Sequence, residues 1–132
     1  MATLYTMKSY EEIRGHKQDF EVSYRLYPPS EGGLQSPSQH MRCDFAYAED
    51  NVEKSGIYMI HPEFLDQNGM PIPEGVPIPS RGLASMWVLV PEMREKVHIQ
   101  KLQVGTKGYF MSGSRRLGEV QVTRLVDLLK NV

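Results

Sequence analysis

Hydrophobic and polar residues alternate strictly over residues 20–27, with Phe20, Val22, Tyr24 and Leu26 on one side and Glu21, Ser23 and Arg25 on the other. A period of two puts every second side chain on one face of a pleated strand, so this pattern predicts a strand buried on one face. Residues 41–47 repeat it, Met41, Cys43, Phe45 and Tyr47 alternating with Arg42, Asp44 and Ala46. Between them runs Pro28-Pro29-Ser30-Glu31-Gly32-Gly33-Leu34-Gln35-Ser36-Pro37-Ser38. Its prolines lack ladder donors and its glycines favour turns, which predicts a long loop.

Residues 57–60 are apolar on both sides and predict a third strand, ending at His61 because Pro62 has no N–H to donate. Asp66-Gln67-Asn68-Gly69 is a turn, its Asn-Gly pair suited to positive φ. Four prolines between positions 71 and 79, interleaved with Ile72, Val76 and Ile78, predict an extended connector whose isoleucines dock on the core. Residues 83–90 are apolar on both faces, as a strand covered on both sides is, with Trp87 as a packing anchor. Val97 and Ile99 alternate with His98 before the phase slips at Gln100-Lys101, which reads as a strand with a bulge. A turn at residues 105–108, a short strand at 109–111, a tight turn at 112–114 and a last strand at 118–125 complete the chain. Only residues 10–14 and 126–131 suit helices. About six strands separated by Pro- and Gly-rich loops predict an all-β barrel or sandwich.

Length and composition keep that picture to one domain. The chain has 132 residues, 40 % of them hydrophobic and 23 % charged, an ordinary globular balance. The expected organisation is an N-terminal extension over residues 1–19, then a single barrel domain over 20–132 with a proline-rich insert at about 63–81. One cysteine, Cys43, makes neither an internal disulfide nor a cysteine zinc site. No apolar stretch approaches the roughly 18 residues of a membrane span, and residues 1–12 show no apolar signal core, so the expectation is a cytoplasmic protein without a membrane partner. The formal net charge of −1 gives no field that draws the whole molecule to nucleic acid. Charge is nevertheless uneven: residues 1–90 carry 7 basic and 12 acidic groups, residues 91–132 carry 8 and 4.

Motifs for chemistry are sparse. Gly113-Ser-Arg-Arg-Leu-Gly118 has the glycine spacing of a phosphate loop, but Glu119 and Val120 stand where that mechanism needs Lys and Ser or Thr. Cys43 points the way Phe45 does and reads as a buried, inert thiol. His61, Glu63 and Asp66 match no metal-ligand spacing, and His16, His40 and His98 are scattered. Asp44, Glu49, Asp50 and Glu53 read as an acidic surface loop. No catalytic residue, metal site, cofactor or small-molecule cofactor site is expected. A basic surface is the remaining candidate: Lys101, Lys107, Arg115, Arg116 and Arg124 near Tyr109, where cations beside an aromatic suit a phosphate backbone and a stacked base.

Two segments in this order resemble a known family. Phe20-Glu-Val-Ser-Tyr-Arg-Leu-Tyr27, then Glu31-Gly32-Gly33 with Pro37 four residues on, then Met41-Arg42-Cys43-Asp44-Phe45, resemble the opening strand, the Glu-Gly-Gly-x-x-x-Pro loop and the Tyr-Arg-Pro-Gln-Phe strand of the C-terminal domain of elongation factor Tu. Residues 105–118, followed by Glu119-Val-Gln-Val-Thr-Arg-Leu125, look like that domain's last hairpin, with Gly113, Arg115 and Gly118 matching. The resemblance spans residues 20–125 and implies a closed six-stranded antiparallel barrel, a translation-factor domain standing alone. In that family the barrel is non-catalytic, helps bind the T stem of aminoacyl-tRNA, and packs against the nucleotide domain and the exchange factor. Here Met111-Ser112 replaces the family's Arg-Glu pair, and no counterpart of the nucleotide domain is present, so GTP hydrolysis is not expected.

Two functions follow as expectations. The first is a protein-binding module, a small bacterial accessory, regulatory or immunity-type protein, contacting its partner through residues 28–39 and 71–79. The second is binding of structured, tRNA-like RNA by the basic C-terminal face. The residues expected at the RNA or partner contact are Gly32, Gly33, Lys107, Gly113, Arg115 and Arg116.

Overall fold

The computed structural model describes residues 9–51, 54 and 56–132. Residues 1–8 of the expected N-terminal extension, Glu53 of the acidic run and Ser55 lie outside them. The elements in chain order are α1 (Tyr10–Arg14), β1 (Phe20–Leu26), a 3-10 turn (Pro29–Glu31), β2 (Asp44–Tyr47), β3 (Ile60–Leu65) and β4 (Arg81–Val88). A helical stretch follows, made of α2 (Pro91–Met93), a π-helical turn (Arg94–His98) and α3 (Ile99–Lys101), and then β5 (Lys107–Ser112) and β6 (Arg115–Leu125). Among the described residues no helix is long and apolar enough to cross a membrane.

The protein is all-β in its core. Six antiparallel strands form one sheet in the order β2-β5-β6-β1-β4-β3, with β1 at its centre between β4 and β6. The alternation read in β1 holds residue by residue: Phe20, Val22, Tyr24 and Leu26 are buried. They meet Phe45 from β2, Phe64 from β3, Ala84 and Met86 from β4, Phe110 from β5 and Val120 and Val122 from β6. Tyr24 packs edge-on against Phe64 at 5.1 Å between centroids, and Phe64 against Phe110 at 5.9 Å, a geometry that sets ring edges against ring faces. Each such side chain removed from water contributes on the order of 1.5–3 kcal/mol. Ile72 and Ile78 of the proline-rich connector are buried in the same core, as their placement between prolines predicts.

The sheet curls but does not close, which corrects the expected closed barrel to an open half-barrel. The end strands β2 and β3 share no ladder; their seam is held by one backbone bridge just ahead of β3, in which Phe45 N–H donates to Tyr58 O (2.9 Å) and Tyr58 N–H to Phe45 O (2.7 Å), and by the side chains of His61 and Asp44. The cause lies in what occupies the outer edge of β3. The Gln39 amide accepts from Phe64 N–H (2.8 Å) and donates to Phe64 O (2.8 Å) and Ile72 O (2.9 Å), and Ile72 N–H also donates to Phe64 O (2.9 Å). Two residues earlier on the same edge, Pro62 has no N–H to offer. A side chain and a proline thus use up the edge that a closing ladder needs.

Four other expectations shift. The strand expected at residues 57–60 begins at Ile60 and runs through Pro62 to Leu65, because the missing N–H of Pro62 faces away from β4. Residues 41–43 precede β2 rather than belong to it. The strand expected at residues 97–104 is helical up to Lys101 and then turns: Arg94, His98 and Leu102 are buried at intervals of four, and Pro91 sits in the first turn, where its lack of an N–H costs nothing. Residues 126–131 make turns closed by Asn131 N–H on Asp127 O (2.8 Å) rather than a helix.

Candidate binding cleft

On the outward side of the sheet, where β1 carries Ser23 and Arg25, two clefts share Arg25 and Arg81 as a common wall. The larger, about 590 Å³, is lined on the outer sheet face by Ser23, Lys107, Tyr109, Glu119 and Gln121. The smaller, about 370 Å³, is lined by Tyr27, Pro28, Leu34, Pro37 and Ile78. Its walls come from residues 28–39 and from the end of the 71–79 connector, two segments far apart in sequence that β1 and β4 bring together. Leu26 N–H donates to Ser80 O (2.7 Å), fastening the connector's exit to the end of β1.

Arg25 is held from two sides. Its Nε lies 3.4 Å from Glu119 Oε1 and its Nη1 3.5 Å from Glu31 Oε1, and the guanidinium carbon sits 4.9 Å over the Tyr27 ring. Tyr27 donates its hydroxyl proton to Glu119 Oε2 (3.1 Å); burial, and then this bond, push its pKa up. Arg81 stands opposite Arg25 in the antiparallel register. With both carboxylates engaged by Arg25, neither Arg81 nor Lys107 has an acidic partner among the described residues.

The loop wall is set by Gly33 and Arg115. A Cβ at Gly33 would lie 1.6 Å from Tyr27 O, so only glycine fits there. Arg115 donates from Nε to Gly32 O (2.6 Å) and from Nη2 to Gly33 O (2.9 Å), tying the last hairpin to the loop. Gly32, Gly33 and Arg115 of the expected contact residues therefore converge. Gly113 takes φ +58 at the hairpin tip, and Arg116 lies over the Tyr109 ring at 4.0 Å. Lys107 pairs with Gln121 at the other end of β5, five residues from the Ser112–Arg115 pair, roughly 17 Å along the strand. The basic C-terminal third is partly neutralised from within, Arg124 by Glu21 (2.7 Å) and Lys101 by Asp50. Sequence reasoning missed Arg81 and the pairing of Arg25; the one available signal was Arg81 standing where the proline run ends and a strand begins.

A second polar cluster covers the outer side of β3. His40 Nε2 lies 2.6 Å from Glu63 Oε2, the same oxygen accepts from Tyr10 N–H (3.0 Å), and the Tyr10 and His40 rings stack at 4.5 Å. His61 Nε2 lies 3.0 Å from Asp44 Oδ1. These pairs consume their own histidines and carboxylates, and no group of three or more metal-ligating side chains forms among the described residues. None of the four lines either cleft. Burial pushes the Cys43 thiol far above its ordinary pKa, so it is held protonated and unreactive, as its place in the pattern predicts.

In comparisons with known proteins, no family model and no curated sequence matches the chain.

Proposed function

We propose that the chain is a non-catalytic module that binds another protein at the paired clefts, in the manner of a small accessory or regulatory protein. One observation carries this reading: the two loops that sequence reasoning picks as contact surfaces, residues 28–39 and 71–79, meet as walls of one cleft. Loops fixed on a rigid sheet present a preformed surface, which lowers the ordering cost of association. Tyr27, Leu34 and Ile78 supply apolar contact area there, and Arg25, Glu31 and Arg81 a charged rim, the composition of many protein interfaces. The resemblance to the elongation factor barrel supports the same reading, since that barrel serves as a docking unit.

The test is site-specific photo-crosslinking in cells that make the protein, with the photoreactive residue at Leu34 or Ser80 and, as control, at exposed Leu129 in the C-terminal turns, which lines neither cleft. A discrete protein adduct formed from Leu34 and Ser80, absent from Leu129 and unchanged by nuclease, is the expected result. Adducts that nuclease abolishes would give the cleft to RNA instead.

A further inference from the structure

We infer that the segment bound across the paired clefts is an extended acidic peptide that sets an apolar residue in the smaller cleft and carboxylates on Arg81 and Lys107. This rests on the protein-binding reading and names the chemistry of its partner. The first ground is a charge left over. Arg25 and Arg81 are cross-strand neighbours, and like charges directly opposite each other in an antiparallel pair are unfavourable. Arg25 takes both nearby carboxylates, Glu31 and Glu119, leaving Arg81 as an exposed cation beside another cation. Lys107, also exposed and without an acidic partner among the described residues, lines the same large cleft. An incoming carboxylate relieves the first repulsion and neutralises the second cation.

The second ground is spacing. From Arg81 on β4 to Lys107 on β5 the surface crosses β1 and β6, three inter-strand steps of about 4.8 Å each, and the register sets Lys107 two residues along, so the span is roughly 16 Å. An extended chain covers that in about four or five residues. Arg81 also borders the smaller cleft, where Tyr27, Pro28, Leu34, Pro37 and Ile78 present apolar and proline surface. An extended segment reaches all three points, with its apolar residue next to the first acid and its second acid four or five residues further on.

The experiment selects from a phage library of random peptides, about twelve residues long, on the full chain, then titrates the enriched peptides and a single-stranded oligouridine of similar length against wild type and three variants. The variants are Arg81→Glu, Lys107→Glu and Leu34→Asp, with melting curves to confirm folding, and Arg81→Gln as a milder replacement. The expected result is enrichment of peptides with two acids four or five residues apart and an apolar residue beside one of them. Their affinity falls at least tenfold in Arg81→Glu and in Leu34→Asp, less in Arg81→Gln, and drops with added salt. Peptides without acids, lost in Leu34→Asp yet indifferent to Arg81→Glu, would overturn this inference and leave the protein-binding reading in place. No enrichment, or enrichment indifferent to all variants, would overturn both. Oligouridine binding that exceeds every peptide and disappears in Arg81→Glu would also overturn both, in favour of RNA.

Discussion

The guanidinium of Arg94 forks onto the carboxylate of Asp19, Nε to Oδ1 at 2.8 Å and Nη2 to Oδ2 at 3.3 Å, with both side chains out of solvent. Asp19 also accepts from Val88 N–H (2.8 Å) and Asn131 Nδ2 (3.0 Å), while Arg94 donates to Val88 O (2.9 Å) and Asn131 O (3.3 Å). The pair joins the start of β1, the end of β4, the helical stretch and the C-terminal turns. Removing one partner strands the other as a buried charge, which costs about 3–5 kcal/mol. Arg94→Ala and Asp19→Ala should each lower the urea midpoint by that equivalent, and the double variant should lose much less than their sum. A double-mutant cycle by chemical denaturation measures it.

His98 gives a pH dependence. It is buried with Nδ1 2.6 Å from the Tyr47 hydroxyl oxygen, its Nε2 has no hydrogen-bond partner among the described residues, and burial lowers its pKa to about 4 from an ordinary value near 6.5. The folded protein holds the imidazole neutral, whereas the unfolded chain takes up a proton as pH falls through about 6.5. The stability is therefore present above about pH 6.5, is lost progressively as pH drops, and is gone from this source below about pH 4. The loss is on the order of 3 kcal/mol. Unfolding free energies of wild type and His98→Phe, compared across that window, should show the wild type with the steeper acid decline.

Gly33→Ala tests the loop wall. The new methyl meets Tyr27 O, backbone that cannot swing aside, so the loop must move and Arg115 must release its carbonyls. A loss of about 2 kcal/mol is expected, in the range of overpacked sites. Amide chemical shifts over residues 28–39 and around Arg115 should move with it, while those of β3 stay.

Gln39→Leu tests the sheet edge. It leaves Phe64 N–H without its acceptor and Ile72 O without its donor in a buried place, at about 1–3 kcal/mol for each unsatisfied group. It also frees the outer edge of β3 for pairing between molecules. Light scattering with size-exclusion chromatography should show concentration-dependent association in the variant and not in the wild type.

Much of the sheet was legible because strand burial writes a period of two into the chain, most plainly in Phe20 to Leu26. The helical stretch over Pro91 to Lys101 was not, since Val97, His98 and Ile99 alternate over only three residues and mimic a strand. Its true signal was Arg94 and His98 four apart, and a charged residue does not announce that it will be buried. Gln39 was illegible for a related reason: an amide standing in for a neighbouring strand leaves no periodic trace. The same holds for His40 with Glu63 and His61 with Asp44, pairs created by β3 folding back beside residues more than fifteen positions earlier. Gly32, Gly33 and Arg115, which meet beside the cleft without lining it, were readable as a group, but Arg81 gained its place only when β4 set it beside Arg25.

The seam between β2 and β3 has one more consequence. Because Phe45 and Tyr58 give it two backbone hydrogen bonds and His61 with Asp44 one side-chain contact, while every other boundary between neighbouring strands carries a full ladder, the curled sheet is a clasp rather than a ring. A ring deforms only by breaking ladders, but a clasp can spread at its fastening and recover with its ladders intact. The amide protons of Phe45 and Tyr58 should therefore exchange with deuterium ahead of those in the β1–β6 ladder, reporting a breathing motion that precedes any loss of the fold.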